Sequence, residues 1–213
     1  MAGCVSEGRV FLLFIGDVVG ERSTATVWEL VPGLRRELEP DAVNANCENS
    51  AGGRGTAAES GDAPLSVVDF LILGEHAFDQ EGMGGFLDEE QRIVRPANAG
   101  AGLPGRGCSR RTEHVSGSLR YGAGGSWTLL SSPSKMAGRA VGELKALGAD
   151  SMFLDVPAEA PSDKQTLGWH LDGRVAAVMG NHIGVPTADL QVLPGGTACT
   201  MHVGMTCDTR ALL

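Results

Sequence analysis

Short apolar runs that stop at a glycine or a polar pair set the rhythm of this chain. Val10-Phe11-Leu12-Leu13-Phe14-Ile15 runs into Gly16-Asp17-Val18-Val19-Gly20. Ala42-Val43-Asn44-Ala45-Asn46 runs into Cys47-Glu48-Asn49, and Val67 to Leu73 into Gly74-Glu75-His76. Runs of this length, bounded by turn residues, predict strands buried on both faces. Ile93-Val94, Trp127 to Leu130, Ser151 to Asp155, Gly173 to Met179 and Thr197 to Met201 predict further strands.

Helical spacing marks other segments. Trp28, Leu30, Val31, Leu34 and Leu38 recur at helical intervals within Thr24 to Leu38, where Pro32 is expected to interrupt or start the helix. Phe86 to Gln91 predicts a helical turn, and Met136 to Leu147, entered through Ser131-Ser132-Pro133-Ser134, a helix. Ala57 to Pro64 is weakly patterned, and Ala97 to Gly125 predicts loops with one hairpin. Met1 to Gly8 reads as a flexible extension. Strands alternating with helices predict a single α/β domain with a mostly parallel or mixed sheet.

Chemistry gathers where the strands end. An apolar run closing in Gly-Asp sets a carboxylate at the carboxyl edge of a parallel strand, where open α/β sheets bind ligands. Asp17, Glu48 with Asn49, Glu75 with His76, Glu159 and His182 all hold such positions. Carboxylates brought together repel each other and call for a cation. Oxygen donors with imidazoles suit Mn, Fe or Mg better than a thiolate zinc site. Each residue has a plainer reading on its own. Asp17 could cap a helix, Glu48-Asn49 could be turn chemistry, and Gly52-Gly53-Arg54-Gly55 could be a tight turn as readily as a backbone cradle for phosphate.

Composition narrows the classes. At 213 residues the chain suits one domain of moderate size or two small ones. A net charge of −9 argues against gripping duplex nucleic acid through its phosphates. The five cysteines are scattered, without a C-x-x-C, which suits a reducing cytoplasm better than a disulfide framework. Val10 to Ile15 is too short to span a membrane, and no small-residue cleavage site follows it.

Read in order, the motifs resemble the bacterial YmdB-type metallophosphoesterases of the calcineurin-like superfamily. The matching stretches include Phe14 to Gly20, Asn46 to Gly55, Gly74 to Asp79, Val94 to Asn98, Asp172-Gly173-Arg174-Val175, Val185 to Asp189, Leu193 to Ala198 and Val203 to Thr206. The resemblance implies a four-layer α/β/β/α sandwich of the metallo-dependent phosphatase type in residues 9–213, in a single shortened domain. It implies a phosphodiesterase acting on small phosphate esters such as 2′,3′-cyclic nucleotides through a metal-activated hydroxide. The cofactors implied are two divalent or trivalent metal ions, Mn or Fe before Mg. On this reading Asp17 and Asn49 bind the first metal, Glu48 bridges both, Glu75 and His182 serve the second, and His76 protonates the leaving oxygen or holds the phosphate in the transition state. The oligomeric state stays open, a homo-oligomer included.

The departures from the family pattern fall on the chemistry. Glu75 stands where the family has an Asn ligand, and Pro157 and Gly184 stand where it has His. His202 replaces an Asp, His170 an aromatic residue and Cys47 a glycine, and these three are the candidates to replace lost ligands. The alternative reading is therefore a catalytically impaired relative that binds a metal or nucleotide, or acts as a regulatory protein.

Overall fold

The computed structural model describes residues 10–52, 54–56, 65–100, 102–105, 108–111, 114–118, 133–146, 148–149 and 151–208. The expected extension at Met1 to Gly8, the weakly patterned Ala57 to Pro64 and the expected strand at Trp127 to Leu130 lie outside the described residues. The first sheet is wholly parallel, in the order β1 (Leu12–Ile15), β2 (Ala42–Asn46), β3 (Phe70–Ile72), β4 (Ile93–Val94). The second contains β5 (Cys108–Arg111), β6 (His114–Ser118), β7 (Ser151–Pro157), β8 (Ala177–Asn181), β9 (Gln191–Val192) and β10 (Ala198–Thr200). Its order is β5-β6-β7-β8-β10-β9; β5 with β6 and β9 with β10 are antiparallel, the other pairs parallel. The single sheet expected from strand alternation is thus two, and the four-layer arrangement is the one found.

Side chains alternate across each strand, and that alternation builds the layers. On β2, Val43 and Ala45 pack with Val27 and Val31 of α1 (Gly20–Leu38) and Met83 and Leu87 of α2 (Met83–Glu89). On β7, Met152, Leu154 and Val156 pack with Val141 and Leu144 of α3 (Pro133–Ala146) and Leu167 and Leu171 of α4 (Pro161–Leu171). Asn46 of β2 and Asp155 of β7 point the other way and meet between the sheets, Asn46 Nδ2 donating to Asp155 Oδ2 at 2.9 Å. Helices cover the outer faces, and the inner faces meet.

Two expectations change. Pro32 neither interrupts nor starts α1, which runs through it. A proline inside a helix costs about 3 kcal/mol, and burial of Val27 and Val31 offsets it. The helix α4 is not expected from the sequence. Its buried face holds Lys164 and Gly168 beside Leu167 and Leu171, so the apolar periodicity is broken. Gly168 is small for a reason: a Cβ there would sit 2.7 Å from Cys199 Sγ.

Candidate metal and catalytic site

The carboxyl ends of β1, β2 and β3 deliver the acidic groups. After β1 the backbone passes so close to Gly204 that a Cβ on Gly16 would lie 2.3 Å from the Gly204 carbonyl oxygen. Asp17 follows, held on one side by Thr206 N donating to its carbonyl at 2.8 Å. On the other side Asn49 Nδ2 donates to Asp17 Oδ1 at 2.8 Å. Asp17 is buried, and burial raises its pKa; Asn49, His182 and His76 oppose that rise. The N-cap reading fails, because no side chain caps α1.

Glu48 closes β2 and is wholly buried. Its Oε2 accepts the Glu75 backbone N–H at 2.9 Å, while its Oε1 is buried without a hydrogen-bond partner. Burial, reinforced by the charges of Asp17, Asp155 and Glu75, holds its pKa well above the ordinary carboxylate value. Position 74 must be glycine for this side chain to fit, since a Cβ there would lie 1.7 Å from Glu48 Oε2.

Beyond β3, Glu75 Oε1 faces two imidazoles, 3.5 Å from His76 Nε2 and 3.8 Å from His182 Nδ1. His76 Nδ1 and Arg54 Nε each lie 2.7 Å from the same Asp79 Oδ2. These short contacts with one carboxylate oxygen outrank the 3.3 Å approach of Arg54 Nε to His76 Nδ1. Burial would raise the Asp79 pKa, but the His76 and Arg54 hydrogen bonds bring it below the ordinary value. An ionised Asp79 fixes the His76 proton on Nδ1 and aims Nε2 at Glu75. His182 comes from the end of β8 with φ of 90°, a left-handed conformation rare for a residue with a Cβ. Its N–H donates to Asn181 Oδ1 at 2.9 Å.

The fold thus brings Asp17, Glu48, Asn49, Glu75, His76 and His182 to one shared edge. Cys47 is fully buried in the first core, where burial, then Asp17, raises its thiol pKa. His170 is exposed on α4. His202 is buried with Nδ1 2.7 Å from Lys164 Nζ. Glu159 is exposed. Beside Gly184, a Cβ would lie 2.6 Å from Met205 Sδ, so the methionine fills that space. The glycine-rich loop is a turn closed on itself: Arg54 N–H bonds the Ala51 carbonyl and Gly55 N–H the Glu48 carbonyl. Gly53 lies outside the described residues.

The donor set fits a hard cation. Burial, then the charges of Asp17, Asp155 and Glu75, raise the Glu48 pKa, and Glu48 Oε1 has no partner. Among the described residues, no three His, Cys, Asp or Glu side chains stand together as a ready-made metal cluster. Sequence reasoning assigns no role to Asp79, Arg54, Asn46, Asp155, Asn181 or Lys164. Asp79 three residues after His76, and a lone carboxylate inside the apolar β7, are the available signals.

Comparison with known proteins agrees with the fold. The model of the family described as YmdB-like protein matches residues 13–213. The chain is 37% identical over 198 residues to the 2′,3′-cyclic-nucleotide 2′-phosphodiesterase of Bacillus subtilis (strain 168), covering 92% of this chain and 75% of that one. A hypothetical protein from Thermus thermophilus superposes with a TM-score of 0.83 at 35% identity, covering 93% of this chain and 78% of that one. A phosphatase from Mycoplasma pneumoniae superposes with a TM-score of 0.82 at 23% identity, over 92% and 72% of the two chains, a likeness of fold alone.

Proposed function

We propose, since the chain belongs to the YmdB-like family, that it is a metal-dependent phosphoesterase that hydrolyses small phosphate esters, 2′,3′-cyclic nucleotides among them. The observation that carries this reading is the meeting of buried Asp17 and Glu48, the latter with an unpartnered Oε1, at an edge shared with His76 and His182. The name of the Bacillus subtilis relative supports the substrate class.

In this reading Asp17, Asn49 and Glu48 hold one metal ion, and Glu48, Glu75 and His182 the other, Mn or Fe in preference to Mg. When bound, the ions supply positive charge against the phosphoryl oxygens and acidify the attacking water. Asn49 spends its amide N–H on Asp17, which leaves its side-chain oxygen as donor. Glu75 stands between both imidazoles and must yield His76 Nε2 to substrate. His76, carrying a proton on each ring nitrogen, then donates the one on Nε2 to the leaving oxygen, while Asp79, braced by Arg54, keeps the other on Nδ1 and holds the ring. Water adds to phosphorus, the P–O ester bond breaks, the leaving alcohol takes the His76 proton, and the proton given up by the water restores His76.

No helix among the described residues is long and apolar enough to cross a membrane. Free Cys47, Cys199 and Cys207 suit a reducing cytoplasm.

One observation favours a second reading, an impaired relative that binds without turnover: Met205 fills the space beside Gly184, and Pro157 offers no donor. The deciding experiment is hydrolysis of a chromogenic phosphodiester with added Mn. Turnover abolished by Asp17→Asn and by Glu48→Gln supports the enzyme. Rates equal to the unmodified protein in both variants reject it. The second reading predicts no turnover until Pro157→His and Gly184→His are combined with Met205→Ala to make room.

A further inference from the structure

Between the two sheets, directly beneath the site, lies a polar network that the chemistry above does not use. Asp155 of β7 is wholly buried, and burial pushes its pKa up to about 7. Placing a carboxylate between two sheets is expensive compared with a leucine of similar volume. What Asp155 touches explains its presence. Its Oδ2 accepts from Asn46 Nδ2 at 2.9 Å. Asn46 Oδ1 in turn accepts the backbone N–H of Glu48 at 3.1 Å. Asn46 is therefore a relay from the second sheet to the turn that carries Glu48.

The other side has a similar layout without that hydrogen bond to the carboxylate. Strands β7 and β8 run parallel with Asp155 opposite Met179 and Pro157 opposite Asn181. Asp155 and Asn181 are thus diagonal neighbours on the inner face. The Asn181 amide lies near enough to stabilise the Asp155 carboxylate, although Asn181 Nδ2 and Asp155 Oδ1 make no hydrogen bond of ordinary geometry. Asn181 Oδ1 accepts the backbone N–H of His182 at 2.9 Å. The Asn181 carbonyl is gripped from below by the buried Lys164 Nζ at 2.6 Å. Lys164 reaches it only because position 180 is glycine, where a Cβ would lie 2.6 Å from Lys164 Cδ.

We propose that Asp155 is a positioning residue between the two halves of the site, holding the backbone amide of Glu48 through its hydrogen bond to Asn46 and restraining that of His182 through its place beside Asn181 on the neighbouring strand. One carboxylate thereby sets the spacing between a group delivered by the first sheet and one delivered by the second. His182 needs such a restraint, because its left-handed backbone is unfavourable without support. The functional meaning of this role rests on the reading of Glu48 and His182 as metal-holding groups. The linkage itself does not.

The test is amide hydrogen exchange, read by NMR on the metal-free full chain. Asp155→Leu fills the volume but removes the acceptor, and Asp155→Asn keeps one. In Asp155→Leu the amides of both Glu48 and His182 should exchange about tenfold faster or more, with near-unmodified rates in Asp155→Asn. Asn46→Leu should release Glu48 alone and Asn181→Leu His182 alone, which keeps the proposal testable if Asp155→Leu fails to fold. A second readout is Mn affinity, expected to fall about tenfold to a hundredfold in Asp155→Leu. Glu48 and His182 amides as protected in Asp155→Leu as in the unmodified protein would overturn the proposal, and so would unchanged exchange in both asparagine variants. Exchange needs no turnover, so an inactive unmodified protein would sink the phosphoesterase reading and leave this one standing or falling on its own data.

Discussion

Gly74 and Glu48 share one volume: a single Cβ at position 74 would sit 1.7 Å from Glu48 Oε2. The same approach lets the Glu75 N–H bond that oxygen, which leaves Oε1 as the atom without a partner. Gly74→Ala is therefore expected to swing Glu48 out of place. Mn affinity, measured by calorimetry, should fall about tenfold to a hundredfold. An unchanged affinity would mean that Glu48 does not hold metal from its present position.

Asp79 orients His76 without touching any site that a metal would occupy in the proposed arrangement. Asp79→Ala should cut kcat for a chromogenic diester about tenfold to a hundredfold, while Mn affinity stays as it was. The tautomer gives an independent check. Nitrogen shifts of His76 should report the Nδ1 proton in the unmodified protein and a mixture in the variant. Arg54→Ala, which removes the brace on Asp79, should show the same trend with a smaller effect. Parallel losses of kcat and Mn affinity in Asp79→Ala would contradict this division of labour.

The buried acids make stability depend on pH in an unusual direction. Asp155 titrates near 3.8 when unfolded and at about 7 when folded, because burial disfavours its charge. Glu48 and Asp17 are raised for the same first cause. At these three acids the folded state binds more protons than the unfolded one, so their contribution to stability falls as pH climbs from about 4 to about 7, opposed below 6.5 by His202, whose value burial lowers. Asp79, Glu90 and Asp189 have lowered values, and their contributions are lost on acidification below the ordinary carboxylate pKa, outside that window. The melting temperature of the metal-free protein should decline across the window, and Asp155→Asn should flatten the slope. Added Mn should restore stability at the upper end, since binding displaces those protons. A melting temperature that rises through this interval would show that burial does not raise the pKa values of these acids in the folded protein.

Much of the site was legible because chemistry and local pattern coincide there. An apolar run followed by Gly-Asp, Cys-Glu-Asn or Gly-Glu-His announces both a strand and the polar group at its end. Asp17, Glu48, Glu75 and His76 follow from that pattern. His182 follows in the same way, after the run that forms β8. The helix α4 was not legible, because Lys164 and Gly168 stand on its buried face and disguise its periodicity.

By itself, then, the sequence determined which residues end strands, and hence which side chains reach the functional edge. Strand termini are written locally, in a handful of consecutive residues. Only the tertiary structure decided that the strands form two sheets, that Asp155 and Asn46, 109 residues apart, meet between them, and that Met205 occupies the space beside Gly184. Those outcomes depend on contacts between distant segments competing for the same buried volume, and no local pattern records which partner wins.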